Sequence, residues 1–569
     1  RETTFMHRLI EDDSITIKPA DKNLGLVLVD TSWYDQELTR MLQDRQTYVP
    51  FKQTVTINGI THKCSETKLS TLLYDELQRL MNHHTHVLEA WNPDLSKRIM
   101  KYAKTKINRG EAVIPSIYLL IKVHKPKGLC GRPIVPCTRW VTTPASVLAD
   151  HLLQEILREA NLTHIVKDTK SFVNELEHMH DLPDDGEFLT GDIGSLYTNI
   201  LTVMGLKLVR EFLREQKVPS GLIEFIMDLL SFVMHHSYLT FKGKVYHQRD
   251  GTAMGTTVAP TYANIVVYML ERHMIKTFGP ELITYRRYLD DVWAYVQRGH
   301  IDRLKTCLNS LHPKLVFEFS TDPIEAAFLD LHIFKGDRFA EKRLLDLRVH
   351  QKKMNLYLYI PFSSYHTDAA KRSFIQTELM RYIRNTSDQR HYNQLKQTFY
   401  SRLRDRGYPD KFLQPVFSSI FYSDRDYFLY PSAELMNHPD ILKLPPRSAC
   451  LLKRMLRAQN TPVNATRPPV FVIPFSPLSR HISIRSLLLQ HWELISGPAP
   501  IIAYQSQPSL ASRLVYMKAQ KQQRALAERL HSTRPIRSIQ SRLSFRPPTQ
   551  QLTQTTPTPI NRQDDGPQP

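Results

Sequence analysis

Three aspartates carry the strongest chemical signal in the chain. Asp290 and Asp291 are adjacent in Tyr288-Leu289-Asp290-Asp291, the polar centre of a run, 283–296, that is otherwise rich in β-branched and aromatic residues. Strand formers on both sides put the pair at an exposed hairpin tip. Hydrated divalent cations can reach it there, and magnesium takes oxygen ligands of this kind. Taken singly the tetrapeptide is weak, because a solvated Asp-Asp turn explains it as well. A third carboxylate, Asp192, ends an apolar strand that starts at Glu187 and precedes Gly194-Ser195-Leu196-Tyr197-Thr198-Asn199-Ile200. If this strand and the hairpin are sheet neighbours, Asp192 and Asp290 meet at one end of the sheet. They could then hold two metal ions about 4 Å apart, one lowering the pKa of a primer 3′-hydroxyl and the other neutralising a leaving pyrophosphate. Alone, Asp192 reads more simply as a strand-end aspartate capping a turn.

Two further stretches suit a nucleotide. Gly251-Thr252-Ala253-Met254-Gly255-Thr256-Thr257-Val258-Ala259-Pro260 precedes an apolar helix, and small residues there would let a sugar and base pair approach the backbone, with Met254 and Gly255 at the contact. A flexible loop with a proline near the helix start is locally as good. Lys122, Lys125, Lys127 and Arg132 cluster beside Pro133-Ile134-Val135. Arginine can grip a triphosphate bidentately while lysine adds point charge. The plain alternative is a basic surface loop.

The elements that must position these groups follow from periodicity. Residues 1–185 mix β-like runs at 24–30 and 116–123 with a helical stretch at 144–160. From Glu187 the pattern predicts a strand, helices over 203–216 and 221–235, a hairpin through Gly243, a long helix from Thr257, the aspartate hairpin, a helix over 301–311 and a strand over 315–320. That β-α-β-β-α-β order is ferredoxin-like. A hairpin over 328–349 and helices over 367–385 and 389–406 come next. Between 441 and 530 the only acidic residues are Glu493 and Glu528 among many arginines and lysines, so this segment could track a phosphate backbone or be a solvated basic appendage. Beyond Ser532 the chain is Pro, Thr, Gln and Ser, which cannot offset its ordering entropy.

The whole chain has 569 residues, 41% hydrophobic and 23% charged, ordinary for soluble multi-lobed proteins. Lys and Arg number 75 against 56 acidic residues, a net charge of +19. Such an excess points to a polyanionic partner, nucleic acid first. The five cysteines, Cys64, Cys130, Cys137, Cys307 and Cys450, form no CxxC pair. Neither a disulfide framework nor a zinc finger is expected, and the setting is intracellular. No apolar run approaches a membrane span and no signal peptide is evident. A start at Arg1 suggests a fragment.

In this order the motifs resemble a reverse transcriptase, and their wording is similar to the Penelope-like retroelements, relatives of telomerase. The strings are KPADKN from Lys18, KVHK from Lys122 with RPIV from Arg132, DIGSLYTNI from Asp192, GTAMGTTVAPTYAN from Gly251, YLDD from Tyr288 and FLDL from Phe328. The resemblance implies an α+β right-hand polymerase with fingers and N-terminal region at 1–185, a ferredoxin-like palm at 186–340, a helical thumb at 341–440, a basic helical region at 441–531 and a disordered tail at 532–569. Asp192, Asp290 and Asp291 would be the catalytic carboxylates. With the Ile193 carbonyl they would hold two Mg2+ ions, Mn2+ being an alternative. Tyr197 falls where such enzymes place a steric gate against a ribose 2′-hydroxyl. Arg132 and Lys125 would contact the incoming triphosphate, and 328–331 would belong to the primer grip.

The implied partners are an RNA template, a DNA primer or target and dNTPs, with no membrane and a nuclear site of action. Met254 stands where many reverse transcriptases have Gln, so contacts there are apolar or through backbone. Ile121 replaces the proline expected before Lys122. No GIY-YIG nuclease pattern follows the polymerase motifs, so the chain is expected not to nick DNA. Two classes of function stay open, an active RNA-templated DNA polymerase and a catalytically inactive or domesticated nucleic-acid-binding protein with the same fold. An RNA-dependent RNA polymerase is disfavoured by Tyr197.

Overall fold

The computed structural model describes residues 2–57, 59–94, 97, 112–123, 128–160, 162–352, 354–429, 470–474, 501–505 and 510–532. The chain divides into two compact units, 1–522 and 523–569. The second contributes only the end of the helix Leu510–Ser532 to the described residues.

The first unit is built on a four-stranded antiparallel sheet with the order Leu282–Tyr288, Asp291–Gln297, Gly186–Ile193, Phe317–Asp322. Helices Thr202–Glu215, Ser220–His235 and Ala259–Phe278 lie between its first and second strands in sequence, and Ile301–Asn309 between its third and fourth. This is the ferredoxin-like order expected from the sequence. Successive strand residues face opposite sides. Leu189, Ile193, Val292, Ala294 and Val296 therefore join one core with the crossover helices, while Phe188, Trp293 and Tyr295 join another with Phe172, Phe328 and Leu331. Because both faces are covered, Val292-Trp293-Ala294-Tyr295-Val296 can be apolar at every position. The first core runs from Val55 to Phe317, so residues on both sides of position 185 share it.

The N-terminal lobe is mixed α/β. Strands Ile15–Pro19 and Leu26–Asp30 pair antiparallel, as do Tyr118–Lys122 and Cys130–Ile134, and a bridge from Ala20 to Ile121 links the two pairs. Helix Thr31–Leu42 packs against them, its Tyr34 hydroxyl accepting from the Leu119 amide at 2.8 Å. Tyr48–Pro50 adds to the hairpin Tyr238–Phe241 and Lys244–Gln248 to make a third small sheet.

After the central sheet, the segment expected to be a simple hairpin is instead three strands, Glu325–Phe328, Leu331–Phe334 and Asp346–Val349, with the helix Asp337–Lys342 inserted before the third. Asp346 explains the insertion, because its carboxylate accepts from the amides of Gly336, Arg338 and Phe339 and so caps that helix from a distance. Helices Asp368–Arg384 and Gln389–Asp405 fall where expected. Each starts after a capping side chain, Thr367 accepting from Ala370 N and Asp388 from the amides of Arg390 and His391, which satisfies amides the helix leaves free.

Of the region 441–531, expected to be basic and helical, the described residues include a helix and also two short strands. Val470–Pro474 and Ile501–Gln505 form a parallel pair before the helix Leu510–Ser532. A basic residue of that helix serves structure: Lys518 is buried and donates to the carbonyls of Leu9, Ile10 and Asp12 at the end of the helix Glu2–Glu11. The expected tail beyond 532 lies outside the described residues. Among the described residues no helix is long and apolar enough to cross a membrane.

Candidate active site

The register of the central sheet decides where the aspartates stand. Asp291 pairs directly with Asp192 across neighbouring strands, and the Ile193 amide donates to the Asp290 carbonyl at 2.9 Å. The turn that carries Asp290 bends through Leu289, whose φ of 54° is left-handed. All three carboxylates thus share one end of the sheet. Burial pushes the Asp291 carboxyl up to about 6, and the charges of Asp290 and Asp192 add to the shift, while Lys352 and Lys22 oppose it. Mutual repulsion of this kind marks a donor set carrying more negative charge than it can neutralise. A divalent cation would relieve it, so the residues fit the expected metal ions in charge and ligand type. Among the described residues no three His, Cys, Asp or Glu side chains are already drawn into a cage. Ile193 has its side chain in the core, which leaves only its backbone to face the cluster.

The segment after Asp192 turns sharply through Ser195, at φ 51°, into the short helix Leu196–Asn199. Asn199 holds the turn by donating from Nδ2 to the Gly194 carbonyl at 3.0 Å. The Tyr197 carbonyl accepts from Thr252 N at 2.7 Å and the Ile200 carbonyl from Gly251 N at 3.0 Å. The Met254 carbonyl in turn accepts from Val135 N at 2.8 Å. These bonds stitch the strings beginning at Arg132, Asp192 and Gly251 into one wall.

The glycines of that wall have packing reasons the sequence did not reveal. A Cβ on Gly251 would lie 2.6 Å from the Tyr197 carbonyl oxygen, and one on Gly255, at φ 135°, would lie 2.1 Å from that of Val135. Both allow backbone to meet backbone. Gly255 is exposed and Met254 half-buried.

Tyr197 is half-buried, and its hydroxyl is pushed up by burial and then by the charge of Asp290, with Arg132 opposing. The expected gate is therefore within electrostatic reach of Asp290 and of Arg132, the residue expected to contact the triphosphate. Arg132 pairs at 3.5 Å with Asp21, a buried carboxylate of the KPADKN string. Lys125 lies outside the described residues.

Two cations near the aspartates were not singled out from the sequence. Lys22 sits inside KPADKN and so had a signal, whereas Lys352, after the strand Asp346–Val349, had none. At the tip of the 328–331 hairpin, Phe328 and Leu331 are buried, and Asp330 accepts from Arg381 at 2.7 Å and Asn385 at 2.9 Å. That tip is tied to the helix Asp368–Arg384.

Residues 358–418 match the model of the animal helix-turn-helix domain, a segment within the helical lobe and outside the aspartate site. No curated protein matches the chain. Among solved structures, the chain is similar to telomerase from Candida albicans in complex with a fragment of telomeric RNA, at 12% identity over 65% of this chain and 69% of that one, with a TM-score of 0.41. It is also similar to apo telomerase from Candida tropicalis, at 11% identity over 71% and 69%, TM-score 0.41. The RNA-dependent RNA polymerase of a human picobirnavirus follows at 11% identity over 55% and 61%, TM-score 0.37. The ferredoxin-like fold of the central sheet is identified by its strand order.

Proposed function

We propose that this chain is an RNA-directed DNA polymerase of the Penelope-like type, extending a primer 3′-hydroxyl with dNTPs on an RNA template. The observation that carries the proposal is the direct pairing of Asp192 with Asp291, beside Asp290, at the end of a ferredoxin-like sheet. Asp192, Asp290, Asp291 and the Ile193 carbonyl would hold Mg2+ or Mn2+, which when bound lowers the pKa of the attacking hydroxyl and neutralises charge on the leaving pyrophosphate. Tyr197, held by Thr252, bounds the sugar and excludes a 2′-hydroxyl. Arg132, together with Lys22 and Lys125, offers charge to the triphosphate. Met254 and Gly255 present backbone and an apolar side chain to the nascent pair. The site of action is nuclear, on a DNA primer or target.

The test is extension of a DNA primer on an RNA template, with dNTPs compared against rNTPs. Extension with dNTPs that disappears in Asp290→Asn supports the reading. Retained nucleic-acid binding with no synthesis by the unaltered chain favours the inactive, domesticated alternative, and preferential use of rNTPs would make it an RNA polymerase.

A further inference from the structure

Beneath the aspartate hairpin lies a group of polar side chains withdrawn from solvent. Arg287 and Glu271 are fully buried. The Arg287 Nε donates to both Glu271 oxygens at 2.8 and 3.0 Å. Its Nη1 donates to Asn264 Oδ1 at 2.7 Å and to the Leu289 carbonyl at 2.9 Å, and its Nη2 to the Asn264 carbonyl at 3.1 Å. Glu271 also accepts from His164 Nε2 at 2.9 Å and from the Tyr285 hydroxyl at 2.9 Å. Asn264 and Glu271 stand seven residues apart on the helix Ala259–Phe278, two turns, and so share a face. The backbone of Arg287 is fixed as well, its N donating to the His164 carbonyl and its carbonyl accepting from Val166 N, each at 2.9 Å.

The cost of this arrangement argues against filler. A buried ion pair contributes little net stability compared with apolar residues of similar volume, so its retention asks for another reason. The Leu289 carbonyl supplies one. Leu289 has φ 54°, a conformation disfavoured for a branched side chain and kept only when its surroundings over-determine it. A charge-assisted bond to its carbonyl does so. Asp290 and Asp291 follow at once in the chain, and their repulsion of one another and of Asp192 would push them apart unless the backbone is held.

We infer that Arg287 is a positioning residue that, anchored by Asn264 and Glu271 on one helix and by His164, locks the Leu289 turn and thereby sets the placement of Asp290 and Asp291. The inference rests on the polymerase reading above, yet the turn it describes can be examined separately. Arg287 touches none of the reacting atoms. Its loss acts through geometry, where a displacement of about 1 Å can lower a rate on the order of a hundredfold.

The experiment uses the full chain with Arg287→Lys, which keeps the charge beside Glu271 but not the fork, and Asn264→Ala, which removes one anchor from a half-buried position. Thermal midpoint, primer-template affinity, dNTP KM, kcat and hydrogen exchange of the 289–291 amides are measured for each. The expected result is a kcat lower by about tenfold to a hundredfold, with KM and primer-template affinity unchanged and exchange at 289–291 faster. Folded variants with unaltered kcat and unaltered exchange would overturn the inference and return the network to core packing. Should Arg287→Lys fail to fold, Asn264→Ala decides. If the unaltered chain extends no primer, the polymerase reading falls, and the exchange data alone still show whether Arg287 fixes the turn.

Discussion

The anionic and cationic sides of the candidate site are held in different ways. Under the aspartate hairpin, Arg287, Glu271, His164, Tyr285 and Asn264 bond to one another in the interior, and two of them are wholly out of solvent. On the cationic side, Arg132 leaves 41% of its side chain exposed and pairs with Asp21 at 3.5 Å, while Lys22 and Lys352 are exposed. The difference has an electrostatic reason. Like charges brought together without a cation repel and would splay the hairpin, so the fold must supply a rigid support before any ligand arrives. Cations facing a polyanionic ligand need no such support, because the ligand brings the counter-charge and long basic side chains reach it from solvent.

The comparison breaks most severely at the carboxylates. Asp290→Asn or Asp192→Asn should lower DNA synthesis by about a thousandfold, the scale of several kcal/mol of charge stabilisation, with primer-template binding retained. Single-turnover extension beside a binding isotherm checks this, and near-normal synthesis would show that the centre lies elsewhere.

The support itself is challenged by Glu271→Gln, which strands the buried Arg287 charge and should cost roughly 3–5 kcal/mol at neutral pH. Burial pushes the Glu271 carboxyl up, but Arg287 and His164 outweigh it and hold it below its ordinary value of 4.5. A depressed folded value means the stabilisation is fully present above pH 4.5 and is lost as pH falls through that lower value. Melting curves between pH 7 and pH 3 should therefore show the gap between the unaltered chain and the variant closing in acid. A gap that widens would contradict the sign.

On the cationic side, Arg132→Ala should raise the dNTP KM by roughly tenfold to a hundredfold, the loss of a hydrogen bond to a charged group, while melting falls less than in Glu271→Gln, because Arg132 is itself 41% exposed although its partner Asp21 is buried. Steady-state kinetics at fixed primer-template concentration measures it. Equal effects on KM and stability would erase the contrast between the two sides.

The smallest effect is expected at Tyr197→Ala, which opens room for a 2′-hydroxyl without touching a carboxylate. Discrimination against rNTPs should fall by about tenfold, with dNTP use less affected. Competition between dNTPs and rNTPs on one template reads it, and unchanged exclusion would move the gate to another residue.

Much of this protein was determined by local sequence pattern. The helices Thr202–Glu215, Ser220–His235, Asp368–Arg384 and Gln389–Asp405 lie within one or two residues of their expected bounds, because apolar spacing and capping residues such as Thr367 and Asp388 act over a few positions. The β-α-β-β-α-β order followed from the same local signals, and the three aspartates stood out because carboxylates at strand ends have a recognisable setting. The tertiary structure alone decided the rest. That Asp192 faces Asp291 depends on which strands pair and in what register, across about a hundred residues of chain. No local period encodes a choice of that kind. The burial of Arg287 and Glu271, the approach of Lys352, the contact of Gly255 with Val135 and the insertion of a helix before Asp346 all arise where distant segments meet. Arginine and glutamate are read from sequence as surface residues, and only long-range packing, which gives each charge its partner, makes their burial affordable in free energy.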